Sequence, residues 1–552
     1  MESLDRNKWL LLVSSLGVLV LLVAAAVEEN VLLEWRQIQA EARTTEGPLA
    51  VRLRQVVNPA LGVADRCVSC HVGMSPGEEN VAGVGIVSHP AVVHDPSEYG
   101  CTVCHGGQGR ATRKEDAHGT VDFWPEPMLP LRMSEAGCGT CHAARGVPRS
   151  DVLDAARATF ERLDCLACHR LDRRGGTIRP DGGGMEGPDL SRIGLVGYDR
   201  TWYQGHQQKA VAAASGPWRT SFQPVLEADR RRVDLYLSTR VGSPRLVAAK
   251  SVFHSAGCLG CHKVSGVGGD EGPDLTRVGE KDPGRADFSA IAGPRTLATW
   301  FTEHIHAPAA VVAGSQMPAG HASDEEVEAL TLYTLSLRRH DVAGTYLPRD
   351  RMQVERFGER EFTSDGATLF AAFCSGCHGR EGQGRRVPGM SFPSVANPDF
   401  LAVAPNSLIV ETILRGRPGR RMRPWGDGST GLRAEDVSAI AVHLRSLTGV
   451  PPPSDSRPAR WVHGDRALGA RLYAASCAGC HGATGEGREG PALNNPVLQQ
   501  FATDTYLVET IGRGRRGTAM EAFLEPSSVR RTLSRPEIEA VVSFIRSWGG
   551  TS

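Results

Sequence analysis

The sequence predicts a mainly α-helical protein: an N-terminal membrane-anchor helix, a module with little regular structure of its own, and then small helical domains in tandem. Three observations predict it. An uncharged apolar run, Trp9–Val27, stands near the N-terminus. All 14 cysteines fall in C-x-x-C pairs, each pair is followed by His, and no Cys is left over. Around the later pairs, an aromatic-bearing helix and a helix with apolar residues three and four apart recur at regular intervals.

The anchor comes first. Trp9–Val27 (WLLLVSSLGVLVLLVAAAV) holds 19 residues without a charge, enough for one crossing of a bilayer. Arg6 and Lys8 precede it, while Glu28 and Glu29 follow. The positive-inside rule then leaves residues 1–8 in the cytoplasm, 9–27 in the inner membrane, and the rest in the periplasm. A cleaved signal, with Ala24-Ala25-Ala26 offered to a peptidase, is the alternative, and both readings export the chain. With no second span visible, this chain cannot build a transmembrane quinone pocket alone. Residues 28–60 read as a juxtamembrane helix and linker. Its apolar Val31, Leu32, Leu33, Trp35 and Ile38 pack on the membrane surface or a partner helix, unless the segment is a solvated stalk.

Composition excludes other classes. The 62 Lys+Arg balance 62 Asp+Glu, so the basic stripe of a nucleic-acid binder is missing. Aromatics make up only 6%, against 63 Gly and 34 Pro, which implies that protein side chains alone do not fill the cores. No nucleophile elbow, phosphate loop or dinucleotide fingerprint is present.

The seven motifs are Cys67-Val-Ser-Cys70-His71, Cys101-Thr-Val-Cys104-His105, Cys138-Gly-Thr-Cys141-His142, Cys165-Leu-Ala-Cys168-His169, Cys258-Leu-Gly-Cys261-His262, Cys374-Ser-Gly-Cys377-His378 and Cys477-Ala-Gly-Cys480-His481. C-x-x-C-H reads as covalent c-type haem attachment. Two thiols one turn apart reach the two vinyl groups of one porphyrin, and the next residue sets an imidazole under the iron. Structural zinc has no reason to put His after every second Cys, and a redox dithiol needs only one such pair. The expectation is seven covalently attached haem c groups, numbered below in chain order. Every C-x-x-C is followed by His and none by Lys, so a lysine-ligated catalytic haem is not expected. Arg pairs carboxylates bidentately, and haem propionates are natural partners for the many Arg.

Motif spacing divides the chain. The first three haems crowd into residues 61–148, a haem-packed module. The fourth to seventh fall one each in 152–242, 246–340, 362–449 and 462–552. Each of these four repeats carries an aromatic before its motif: Phe160, Phe253, Phe370 and Tyr473. The last two share the frame G-x-x-x-[F/Y]-x-x-x-C, from Gly366 and Gly469. Turns follow at Glu186-Gly-Pro-Asp-Leu190, Glu271-Gly-Pro-Asp-Leu275 and Glu489-Gly-Pro-Ala-Leu493. Amphipathic helices close the repeats near Val233–Leu237, Val327–Leu337, Val437–Leu447 and Ile538–Trp548. Gly449–Pro458 reads as a stiff Pro-rich linker, and 339–362 as a second, more charged one.

This order of elements over residues 152–548 resembles tandem class I cytochrome c domains. The resemblance implies a Met downstream of each motif as second iron ligand. Met317, Met422 and Met520 occupy that place in the fifth, sixth and seventh repeats, while Met390 follows its motif too closely and reads as core filler. The first three haems have no such Met pattern, Met74, Met128 and Met133 being unplaced. Three further histidines, His89, His94 and His118, match them in number and suggest bis-His ligation, with surface or propionate-bonded His as the alternative. Gly100–Gly109 with His118 resembles the triheme module of cytochromes that accompany quinol-oxidising complexes of the cytochrome b/Rieske type. The fourth haem is the exception. Its repeat aligns with the next through Trp202/His206 and Trp300/His304, which sets Arg219 where Met317 stands. His206, a His from the N-terminal module, or an open iron complete the options.

Six-coordinate haems transfer electrons without binding substrate. Met/His ligation raises the potential, and bis-His haems usually sit lower. The expectation is a periplasmic wire from a quinol-oxidising membrane complex to a soluble cytochrome or terminal oxidase, a non-catalytic electron-transfer subunit. A haem enzyme with an open fourth haem (a peroxidase or small-oxyanion reductase) and the cytochrome subunit of a periplasmic dehydrogenase are the alternatives.

Overall fold

The computed structural model describes residues 2–74, 81–83, 89, 92–121, 124–142, 146–176, 187–195, 225–319, 322–338, 341–360, 365–387, 390–426 and 428–549. It is mainly helical, and its only sheets among the described residues are two-stranded hairpins. Two compact units emerge. The first comprises 1–144, 155–249 and 277–359; the second comprises 145–154, 250–276 and 360–552.

The first unit begins with the helix Glu2–Asn30. Its apolar residues are exposed all round, Trp9 at 67% and Leu21 at 70%, as a lipid-facing helix requires. The following helix, Glu34–Glu41, is no stalk: Trp35 and Gln39 are buried. Gln39 donates to the Ser69 carbonyl at 2.8 Å and accepts from the Arg52 N–H and the Arg54 guanidinium at 2.9 and 2.6 Å. Ser69 Oγ both accepts from and donates to the Arg54 backbone. This satisfied polar knot fixes the Cys67–Ser69 turn. Asp65, at the end of the hairpin Val56–Asn58/Val63–Asp65, accepts from the Cys101 and Thr102 N–H groups at 2.6 and 2.7 Å, capping the second motif.

Elsewhere in this unit, backbone packs on backbone. A Cβ on Gly137 would stand 2.0 Å from the Cys104 carbonyl, and one on Gly139 would stand 1.8 Å from that of Ser336. Ser336 ends the helix Asp324–Ser336, which is capped by a Ser323/Glu326 capping box. The sequence predicts an amphipathic helix here. Leu330 to Ser336 are instead all buried, because the extended 3-10 stretch Leu131–Thr140, which carries the third motif, packs against it too. The charged linker also differs from expectation. It contains the helix Arg349–Phe357, whose Arg351 is buried and donates to the Thr140 carbonyl.

The second unit contains two helix crossings of one design. Gly366–Phe373 packs on Ala434–Ser446, and Arg466–Ser476 on Arg535–Arg546. The shared glycines of the G-x-x-x-[F/Y] frame sit at the crossings. A Cβ on Gly366 would lie 2.1 Å from the Ala439 carbonyl, and one on Gly469 2.0 Å from that of Ala540. Phe370 and Tyr473, one turn on, are each 1% exposed. The stretch 450–460 has no regular structure. Its end is pinned where Trp461 and Val462 N–H groups donate to Asp504 at 2.7 and 2.9 Å.

Candidate haem centres

All seven motifs adopt one local geometry. The N–H of each motif His closes on the carbonyl of the first Cys, from 2.8 Å at His71 to 3.0 Å at His169 and His481. Positions i, i+3 and i+4 of such a turn share one face. Burial pushes the first thiol up to about 12 at Cys138, Cys258 and Cys374, and to about 11 at Cys165 and Cys477. A redox dithiol needs the opposite, a depressed attacking thiol; of the first thiols only Cys67 is lowered, by its hydrogen bond with Cys101. Neighbouring motifs also meet through sulfur: Cys67 shares a hydrogen bond with Cys101, and Cys261 with Cys377.

The fourth to seventh motifs orient their histidines identically. Nδ1 of His169, His262, His378 and His481 lies 2.9 Å from the carbonyl oxygens of Pro188, Pro273, Pro393 and Pro491. An Nδ1–H donated to that carbonyl fixes the tautomer and leaves Nε2 for a metal. The Glu-Gly-Pro turns supply three of these prolines. Their glycines make the approach possible: a Cβ on Gly187, Gly272 or Gly490 would stand 2.4, 2.4 or 2.8 Å from the imidazole of His169, His262 or His481. The sequence shows these turns but not their role, and Pro393 lies in no such turn.

The first three motif histidines have different surroundings. His71 faces His118 with ring centroids 6.4 Å apart, His105 faces His89 at 6.3 Å, and His94 faces His142 at 6.0 Å. Two metal–nitrogen bonds of about 2 Å on opposite sides of one ion, plus the ring radii, give ~6 Å between centroids. The three pairs therefore fit an iron between them. His142 has one more partner, Asp350, whose Oδ1 lies 3.0 Å from Nδ1. Sequence reading misses Asp350, since nothing local joins positions 142 and 350. Burial lowers the proton affinity of His71, His94 and His105, and each feels a neighbouring imidazole.

Met422 and Met520 are half-buried, each in a loop between a Gly-terminated helix and the last helix of its repeat. Met317 occupies a loop of the first unit, and its motif, Cys258–His262, belongs to the second. Met390 is the first residue of the strand Met390–Phe392. His206, with Trp202 and Arg219, lies outside the described residues.

Comparison with known proteins places families on three of the repeats. The model of the cytochrome c family matches residues 246–338 and 467–549. The model described as cytochrome c oxidase, cbb3-type, subunit III matches 361–444. The cbb3-type cytochrome c oxidase subunit FixP of Bradyrhizobium diazoefficiens is 29% identical over 196 residues, covering 34% of this chain and 60% of that one. Subunit CcoP of Rubrivivax gelatinosus is 34% identical over 132 residues, covering 24% and 37%. The chain thus spans at most about 60% of the length of these relatives. Among solved structures, the reducing HAO-like protein complex of Kuenenia stuttgartiensis shares 20% identity over 34% of this chain and 96% of its own, at a TM-score of 0.24.

Proposed function

Because the chain is a multihaem c-type cytochrome, we propose that it is a membrane-anchored electron carrier with seven haems, running from a quinol-oxidising membrane complex to a soluble cytochrome or a terminal oxidase. Haem c supplies the one-electron chemistry. The residues of the chain do the rest. The 14 thiols would hold the groups, and His71, His105, His142, His169, His262, His378 and His481 would each supply the first protein ligand. His118 would supply the second at the first centre, His89 at the second and His94 at the third. Met317, Met422 and Met520 would do so at the fifth, sixth and seventh.

One observation carries the reading: three motif histidines each stand about 6 Å from a second imidazole. Two protein ligands at each of these centres would leave no coordination position for a substrate. Sulfur ligation raises the potential above that of bis-imidazole ligation, so electrons run from the 61–148 module toward the C-terminal repeats. The oxidase end is supported by the relatives, which are named as oxidase subunits. The helix Glu2–Asn30 supplies the anchor, with residues 1–8 cytoplasmic and the remainder periplasmic.

A spectroscopically resolved redox titration tests this. The bis-imidazole set should titrate below the sulfur-ligated set; the reverse order overturns the direction of flow. Purification from native membranes should recover subunits with b haems or an iron–sulfur centre, or an oxidase. A flavoprotein or quinoprotein partner would instead make the chain a dehydrogenase subunit.

A further inference from the structure

The two C-terminal repeats meet through equivalent elements used reciprocally. In the sixth repeat a short helix, Pro398–Val403, and a longer one, Asn406–Arg415, lead to the Met422 loop. In the seventh, Pro496–Phe501 and Asp504–Arg513 lead to the Met520 loop. The short helix of each repeat packs on the long helix of the other. Such first-on-second, second-on-first pairing is the mark of a two-fold relation, here between two parts of one chain. Phe400 meets Tyr506 edge-on at 6.4 Å, and Arg415 lies 5.1 Å over Phe501.

Two buried asparagines sit in this contact, Asn397 at 8% exposure and Asn495 at 3%. Asn397 caps Pro398–Val403, its Oδ1 accepting from the Phe400 N–H at 3.0 Å. That bond fixes which end of the amide is oxygen. The opposite end, Nδ2, donates to the Arg516 carbonyl at 2.9 Å. Asn495 caps Pro496–Phe501 by accepting from Val497 and Leu498 at 3.1 and 3.4 Å, and donates to the Pro418 carbonyl at 3.3 Å. Pro418 and Arg516 occupy the same step of the two methionine loops, Arg415-Gly-Arg-Pro-Gly419 and Arg513-Gly-Arg-Arg-Gly517.

Each loop is closed at its base by its own repeat. Arg417 N–H donates to the Met422 carbonyl at 2.6 Å, and Arg515 N–H to that of Met520 at 2.7 Å. Gly416 and Gly514 have φ of +63° and +66°, and a Cβ there would strike the same methionine carbonyls at 2.5 and 2.6 Å. The base is thus local, whereas the asparagine grip on the turn comes from the other repeat.

We propose that Asn397 and Asn495 are crossed positioning residues. Asn397, in the sixth repeat, sets the Met520 loop of the seventh; Asn495, in the seventh, sets the Met422 loop of the sixth. The proposal rests on Met422 and Met520 being axial ligands. It makes the sulfur ligation of each haem dependent on the neighbouring repeat.

The test uses the full-length ferrous holoprotein with ¹³C-methyl methionine. A methyl group held over a porphyrin is displaced far upfield by the ring current. Each such signal is assigned by its loss in Met317→Leu, Met422→Leu or Met520→Leu. Absence of upfield Met422 and Met520 signals in the unsubstituted protein overturns the ligand reading itself. With those signals present, Asn397→Ser, which keeps an N-cap acceptor but loses the long donor, should displace the Met520 signal and leave that of Met422. Loss of one hydrogen bond should enlarge the detached population about two- to tenfold. Asn495→Ser should do the reverse, and Asn→Asp at either position, another capping residue without the donor, should repeat the Ser result. A change confined to the methionine of the substituted repeat, no change, or equal loss of both signals overturns the proposal.

Discussion

The 61–148 module and the two C-terminal repeats solve the same problem, aiming an imidazole, in two ways. In the repeats a helix crossing frames the motif, and a proline carbonyl 2.9 Å from Nδ1 orients the ring. Among the described residues of the module, no such frame is seen. A buried Gln39–Arg54–Ser69 knot and the Asp65 carboxylate hold the first two turns, while His142 leans on Asp350. The difference follows from density. A repeat of about a hundred residues can afford two crossing helices; three motifs within residues 67–142 cannot, so turns must touch turns. That teaches where each half is sensitive: the module at its polar anchors and facing imidazoles, the repeats at their crossings and loops.

Removing a facing imidazole should have the largest effect. His118→Ala, His89→Ala and His94→Ala should each open one coordination position, read as one added equivalent of CO bound by the reduced protein. Three variants that all bind no extra CO would erase the contrast with the repeats, for which sulfur ligation is proposed. Acid separates the halves next. His254, in the second unit, is fully buried, and burial, aided by Lys250, lowers its pKa to about 3. The unfolded chain takes that proton near 6.5, so between pH 6.5 and 3 the unfolded state binds more protons. Stability is complete above 6.5 and declines as the pH falls, by at most about 5 kcal/mol. Denaturation midpoints of the second unit at pH 7 and 4.5 should converge in His254→Leu.

The helix crossings come third. Gly366→Ala and Gly469→Ala force a Cβ to within about 2 Å of a carbonyl and should each cost about 1–3 kcal/mol in thermal denaturation. The smallest effect belongs to Asp350→Asn. A carboxylate acceptor makes an imidazole more electron-rich and favours the oxidised metal. Its neutralisation should raise the potential of the third centre alone by up to about 60 mV, a tenfold change in equilibrium constant.

Much of this was legible in the sequence because it is local. The C-x-x-C-H turn, the aromatic one turn before it and the methionine loops are each confined to a few neighbouring positions. The glycine frame could be seen but not explained, since its reason is a carbonyl some 70 residues away, at Ala439 or Ala540. The choice of His118 for His71, rather than for His105 or His142, depends on how the chain folds back, and periodicity carries no trace of it. Asp324–Ser336 misled for a related reason. Its apolar spacing of three and four reads as a helix packed on one face, yet its second half is buried all round by partners from distant sequence. Asn397 and Asn495 carry no sequence signal for their role, because one end of each amide caps its own helix and the other reaches a distant loop.

The bare stretch 450–458 joins two bodies that already grip each other through paired helices. Peptide continuity there is a convenience of synthesis. An engineered protease site within it, once cut, should leave two fragments that co-migrate under native conditions and part only in denaturant. The same two pieces made as separate polypeptides should find one another.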